Sequence, residues 1–410
     1  MDALTTCFWC SLAVLSYSYL GYPALVWLWA RKRPKRARRS GARPRLSVVI
    51  VAYNEGRRIG PRIENILQQE YPADRLEVII ASDGSKDDTA GRARAIGAAQ
   101  VRVVEFPLHR GKSAVLDEVI PTARGDVVVL ADARQRFSPG ALRALAERFA
   151  DPEVGAVSGE LVLERGPGGS EVAQGVDAYW RYEKFIRRNE SLIDSTVGAT
   201  GAIYAVRRVL FRMIPADIIL DDVLVPMIIV RQGYRVLFEP RALAYDQITP
   251  SARAEFRRKV RTLAGNFQLL RRAHWLWNPR TNRLWLQLIS HKLCRLLCPW
   301  FMVAAFFSNL LLIGQPAYRV LFILQLVFYA AALCGALLRN SPRRNRLVTL
   351  PYAFCLLNLA AVMGLFEWLT GRQTVTWEVT FLHPAVAGGF AGGGARPDWV
   401  AASGNHLRPK

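Results

Sequence analysis

The sequence predicts an α/β domain built on a parallel sheet, carried between membrane-spanning helices at the two chain ends. Three observations point there. Residues 46–284 alternate short Val/Ile-rich runs with helical stretches, uncharged apolar blocks crowd both ends, and a chain of 410 residues that is 51% apolar carries a formal charge of +22. Because the apolar residues come in blocks, a disordered polyelectrolyte is excluded. With 30 Gly and 22 Pro and no period, so are collagen-like and low-complexity chains.

Residues 4–30 hold 27 positions without a charge, and a helix needs only ~20 to cross the hydrocarbon. Asp2 is the only charge ahead of this run, so it reads as a spanning segment and not as a cleaved signal. From Arg31 to Arg45 there are nine Lys or Arg and no acid. The positive-inside rule therefore places this flank and the domain after it in the cytoplasm, at the inner (plasma) membrane, with the N-terminus outward. Next to a span, such a run suits anionic lipid headgroups better than nucleic acid, which is not expected as a partner.

At the other end, 296–314, 319–338 and 347–370 are apolar, and RNSPRRNR after the second reads as a cytoplasmic loop. His291, Lys292 and Arg295 punctuate 285–298 at helical spacing, which reads as a helix lying along the membrane surface. The stretch 347–370 contains Asn358 and Glu367 and reads either as spanning or as re-entrant. The expected division is thus 1–45, span and basic flank; 46–284, the α/β domain; 285–372, surface helix and membrane helices; and 373–410, a tail. Cys7, Cys10, Cys294, Cys298, Cys334 and Cys355 all lie in or beside apolar blocks, so no disulfide framework is expected. Cys7 and Cys10 lack the two further ligands that zinc would want.

In the middle, SVVIVAY, LEVIIAS, VRVVEF and DVVVLAD are strands without a polar face, which implies a parallel sheet covered on both sides. Ligands of such sheets bind beyond the carboxyl ends of the strands. Those ends read Ala52-Tyr53-Asn54-Glu55, Ser82-Asp83-Gly84-Ser85, His109-Arg110-Gly111-Lys112 and Ala131-Asp132-Ala133-Arg134. Each alone is ordinary turn chemistry. Four in register predict one polar rim. A Walker loop and a G-x-G-x-x-G are both missing, which argues against an ordinary NTPase or dinucleotide fold.

From about Arg45 to Leu270 these motifs resemble glycosyltransferase family 2, in the membrane-bound branch that includes hyaluronan, cellulose and poly-N-acetylglucosamine synthases. The resemblance implies a GT-A, Rossmann-like fold that takes a sugar from a UDP-type nucleotide sugar. SVVIVAYNE and SDGSKDDT correspond to the segments that hold base and ribose, which carries over to Ala52, Tyr53, Glu55 and Asp83; Lys112 matches a lysine that approaches the nucleotide. Carboxylates accept from base N–H and ribose hydroxyls, and a lysine supplies point charge to phosphate. The family's Asp-x-Asp metal motif is here Asp132-Ala133-Arg134, so Asp132 is the expected ligand of Mg²⁺ or Mn²⁺ and Arg134 stands at the second carboxylate's place. A hard cation with fewer carboxylates leans on waters and substrate phosphates; alternatively, Arg134 neutralises diphosphate itself.

In IILDDVLVPMIIVRQGYRVLF, eleven residues separate Asp222 from Gly233-Tyr234, as they separate the family's catalytic base from its Gly-Tyr. Asp222 is thus the expected base, supported by Asp221; two acids opening a helix also suit its dipole without any catalysis. Where the processive relatives carry Gln-x-x-Arg-Trp, this chain has Arg258, Arg261 and Thr262. Arg261 is the expected clamp on the departing diphosphate, with Arg258 beside it. For the acceptor, Thr200 and Gly201 in GATG form a floor without bulk, and Trp180 and Glu183 are candidates to stack on and hydrogen-bond to sugar.

The resemblance implies a growing glycan or a polyprenyl lipid as acceptor, with partner subunits of an export machine. It also puts a tryptophan-bearing loop, here Arg372 to Trp377, beside the active site, which conflicts with three full late crossings. The rival reading is a membrane-tethered sugar-nucleotide sensor or assembly subunit without catalysis, for which the lost second metal aspartate speaks.

Overall fold

The computed structural model describes residues 2–164, 172–247, 252–338 and 345–372. At the N-terminus, α1 (Ala3–Ser16) and α2 (Tyr22–Lys32) join through a π-helical turn into one rod, Ala3–Lys32. Up to Ala30 the rod carries no charge, and it leaves Leu20, Trp27 and Leu28 exposed, as suits a helix solvated by lipid.

β1 (Leu46–Ala52) has no polar face and is buried at every position. Val49 and Val51 point into one apolar layer, Val48 and Ile50 into the other, the alternation that strand geometry imposes. β1 pairs in parallel with β2 (Leu76–Asp83) on one side and β4 (Val127–Ala131) on the other; β3 (Val101–Phe106) extends the sheet beyond β2. Crossovers run through α3 (Gly56–Leu67), α4 (Thr89–Arg94) and α5 (Lys112–Val119). The parallel sheet expected for residues 46–131 is present.

Beyond β4 the sheet turns mixed. The chain adds β5 (Arg136–Phe137), α6 (Ala141–Ala146), β6 (Val154–Glu164), α7 (Val172–Ile193), β7 (Ile203–Arg207), α8 (Asp221–Arg231), β8 (Arg235–Gln247) and α9 (Ala252–Arg272). Strand order is β3-β2-β1-β4-β7-β6-β8-β5, with β7 antiparallel to both neighbours. The reason is local. β7 begins at the rim where β4 ends, pairing Ile203 with Ala131, so it can only run back.

Among the described residues, four helices are long and apolar enough to cross a membrane: Ala3–Lys32, Trp285–Leu311, Pro316–Leu337 and Arg346–Leu369. The second combines α10 (Trp285–Leu288), a π-helical turn and α11 (Cys294–Leu311). Residues 285–298 are therefore the first half of a continuous rod and form no separate helix along a surface. His291 is buried between Glu183 and Glu190 of α7, and these buried carboxylates account for polar groups on so apolar a rod.

The third span is α12 (Pro316–Leu337), the fourth α13 (Arg346–Leu369). Tyr318, at the start of α12, packs on Phe8 and Trp9 in the first half of the N-terminal rod, away from the sheet, so α12 runs back toward the sheet. Past it, α13 lies along α9. A Cβ on Gly364 would come within 2.9 Å of the Ala264 backbone, and Trp368 stacks on Phe267. The last turns of α13 thus sit on the sheet domain's side. Arg372 ends the described chain, lying over Phe366; Trp377 is outside the described residues.

Candidate active site

The rim forms where strands end and turns begin. After Ala52, Asn54 takes a positive φ of 53°, a conformation that asparagine tolerates better than most residues. Its amide donates to Ser85 Oγ and its side-chain oxygen accepts from the Lys86 amide, which ties the first two turns together. Glu55 is held by Arg58 at 2.9 Å. Tyr53 stacks flat on His109, ring centroids 3.8 Å apart and 6° from parallel. Asp83 is fully buried and accepts from the amides of Arg110 and Gly111, with His109 Nδ1 at 2.8 Å. Its carboxylate thus fixes the loop that carries His109, and does not face open space as a base-binding group would. Tyr53 and His109 form the flat surface of this part of the rim.

The centre is a set of charges from four separate segments. Lys112 Nζ lies 3.0 Å from Asp132 Oδ1 and 3.6 Å from Asp221 Oδ2. Burial works against its charge, but Asp132, Asp221 and Asp222 more than offset that and hold Lys112 protonated beyond the usual lysine range. Burial likewise pushes Asp132 up, and Lys112, Arg134 and Arg62 outweigh it, so Asp132 stays ionised below its ordinary value. Arg62 of α3 stacks over Phe137, and burial brings it down to about 9. Tyr204 of β7 donates its hydroxyl to Asp221. Arg134 is 3.2 Å from Asp246, which also accepts from Gln135, so a β8 carboxylate anchors the residue at the family's second aspartate position.

Asp222 opens α8 beside this cluster. Its Oδ2 accepts from the Gly201 amide at 3.0 Å, and its backbone oxygen accepts from Ala199. Burial first, then neighbouring Asp221, raises Asp222 to about 6. A Cβ on Gly201 would come 3.2 Å from Asp222 Oδ2. We expect Gly201→Ala to displace that carboxylate by a few tenths of an ångström and reduce turnover roughly tenfold, since angstrom-scale misplacement of reacting groups costs about 10²-fold; kcat with saturating donor is the check. Thr200 is buried, and its amide donates to Ser158. From α9, Arg261 is within electrostatic reach of Asp221, Asp222 and Asp132, and Gly265 brings the helix against Ile219 and Leu220, just ahead of the two acids.

Two of the expected residues stand elsewhere. Arg258 pairs with Glu255 on its own helix at 2.6 Å. Glu183 is buried and meets His291, Arg187 and Arg295; against the cost of burial, His291 first, then Arg295 and Lys292, hold it well below the usual carboxylate range, and it ties α7 to α11 with little left to offer a sugar. Trp180 is half-buried beneath the Lys259 ammonium. Among the described residues, no group of three His, Cys, Asp or Glu could hold a metal ion. Asp132 alone fits an ion that arrives with a diphosphate and keeps its waters, not one bound in advance.

A family model described as "Glycosyltransferase like family 2" matches residues 44–265. The chain is 25% identical over 235 residues to a poly-beta-1,6-N-acetyl-D-glucosamine synthase of Staphylococcus epidermidis, covering 56% of each chain. To the synthase of that name from Staphylococcus aureus (strain COL) it is also 25% identical, over 232 residues. The chain thus spans about half the length of these curated relatives. Among solved structures it resembles the mannosyltransferase PcManGT from Pyrobaculum calidifontis in complex with GDP-Man and Mn²⁺, with a TM-score of 0.68 at 22% identity, over 89% of this chain and 99% of that one. The sheet domain is therefore a GT-A fold, flanked by helices long and apolar enough to cross a membrane, and the chain belongs to glycosyltransferase family 2.

Proposed function

We propose that the chain is an inverting glycosyltransferase that moves a sugar from a UDP-type donor to a hydroxyl of a glycan or lipid-linked acceptor, with Asp222 as general base. The observation that carries this reading is a carboxylate raised to about 6 in the same charge cluster as Lys112, Asp132 and Arg261. A base acts best when its pKa lies near the working pH, and Asp222 is mostly ionised at neutrality. Gly201 orients it through Oδ2, which leaves Oδ1 for the acceptor's proton.

Tyr53, with the loop that Asp83 fixes, receives the base. Lys112 and Arg134 face the diphosphate, and Arg261 takes up charge as that group leaves, where a fixed cation lowers the barrier most. Asp132 would hold Mg²⁺ or Mn²⁺, which supplies further charge neutralisation on the phosphates. Asp221 is kept in place by Lys112 and Tyr204. The basic flank at 31–45 supports a cytoplasmic domain at the inner membrane, with α13 returning to that side. Membrane lipids and subunits of an export machine are the remaining partners in this reading.

Detergent-purified full-length chain incubated with labelled UDP-, GDP- and CDP-sugars tests it: nucleotide release and label transfer are expected with one donor class. Release from none would leave a sugar-nucleotide sensor. A chelator is expected to lower turnover at least tenfold, with Mn²⁺ restoring it; chelator-insensitive turnover would remove the metal from the account.

A further inference from the structure

Below the rim, between the sheet domain and the apolar helices, lies a second set of cations that transfer from the nucleotide side does not use. We propose that Arg187, Lys259, Lys292 and Arg295 form an anion pocket for the phosphate of a membrane lipid that bears the acceptor sugar, a proposal that rests on the transferase reading.

The cluster is under-neutralised. Lys259 lies over the rings of Tyr179 and Trp180, 4.7 and 5.1 Å from their centroids, while Glu255, the acid on its own helix, is taken by Arg258. Burial brings Lys259 down to about 8, with only partial help from Glu255, as befits a charge lacking a close counter-ion. Arg295 gives Nη1 to Glu183 at 2.9 Å, but its Nε and Nη2 are buried with no partner among the described residues. The Trp180 indole N–H is in the same condition. Arg187 shares Glu183 with Arg295 and His291, and Tyr22 and His291 both meet Glu190 through Oε1, while Glu190 Oε2 and Glu255 Oε1 are buried without a partner among the described residues. The four cations thus meet three carboxylates, one of which, Glu255, is already paired with Arg258, and buried N–H groups without acceptors are costly unless a ligand supplies them.

Position identifies the ligand. Arg187 and Lys292 both act electrostatically on Asp222, so an anion held by them lies within reach of the base without occupying the diphosphate's place. Arg295 and Pro299 are one helical turn apart on α11, and Pro299 begins an apolar groove of about 380 Å³ that continues along Met302, Phe306, Tyr329, Leu359 and Val362. A phosphate at the mouth of a groove that runs among membrane helices belongs to an amphiphile. Its hydrocarbon fills the groove, its phosphate meets the cations, and its sugar hydroxyl extends to Asp222.

The test uses full-length protein in dodecyl maltoside with dodecyl phosphate as probe, against inorganic phosphate as the chain-free comparison. We expect dodecyl phosphate to bind at least tenfold more tightly than inorganic phosphate. Lys259→Gln/Lys292→Gln should lose at least tenfold in that affinity and Lys259→Arg/Lys292→Arg retain it, with a UDP-induced thermal shift showing that each variant is folded. Equal affinity of wild type and the glutamine variant would overturn the site; equal binding of inorganic phosphate would overturn the lipid. Nucleotide release to water by the same preparation reads the transferase separately: its absence beside intact dodecyl phosphate binding would sink the transferase reading alone.

Discussion

Asp222→Asn is expected to lower transfer by roughly 10²–10⁴-fold, the range a positioned general base contributes, while the donor still binds. An amide oxygen still accepts from the Gly201 N–H, so geometry is retained and only the proton acceptor is lost. Stability separates this from a folding defect. The folded pKa of Asp222, about 6, lies above the ordinary 3.8, so its protonation favours the fold at low pH. That contribution disappears as pH rises through about 6, where a buried carboxylate must ionise. Asn carries no such penalty, and the variant should unfold at or above the wild-type temperature at pH 7.5. For the same reason wild-type kcat/KM should climb through pH about 6 and level off above it. Near-normal turnover of Asp222→Asn, or a flat profile from pH 5 to 8, would remove Asp222 as base.

Lys112→Met has the second largest expected effect because it reaches both halves of the site. It leaves Asp132 and Asp221 without the ammonium between them and takes a positive charge from the diphosphate. Breaking a fully buried pair costs ~3–5 kcal/mol, but the Asp132 side chain is 37% exposed, so about 2 kcal/mol is expected. The donor KM should rise at least tenfold as well, read from initial rates at varied donor. A fall in unfolding temperature with an unchanged donor KM would make Lys112 a structural residue only.

What the sequence made legible follows from the range over which each signal acts. Strands such as Leu46–Ala52 declare themselves by being apolar at every position but Ser47, and the turns after them carry Tyr53, Lys112 and Asp132 to one rim by topology alone. Asp222 was marked by its eleven-residue spacing to Gly233. The reversal of β7 left no trace, since a short apolar strand reads alike in either direction. Tyr204 was missed as one polar residue in an apolar run, and Arg62 as one of three arginines on a helix with a polar face; each is meaningful only through a carboxylate further along the chain. For Glu183 the difficulty was the same: its partner His291 is 108 residues away, and with that partner unseen an acid near aromatic residues reads as a sugar contact. Asp83 shows a further limit, for a turn carboxylate that serves its own loop looks like one that serves a ligand.

The stereochemistry of the first linkage formed tests the central claim most directly. A single displacement, in which an acceptor hydroxyl deprotonated by Asp222 attacks from the face opposite the nucleotide, turns an α-linked donor into a β-linked product. Proton NMR of the anomeric signal from a wild-type reaction should show β-product from the earliest time point. An α-product would mean retention, and with it a mechanism that this arrangement of Asp222, Lys112 and Asp132 does not provide.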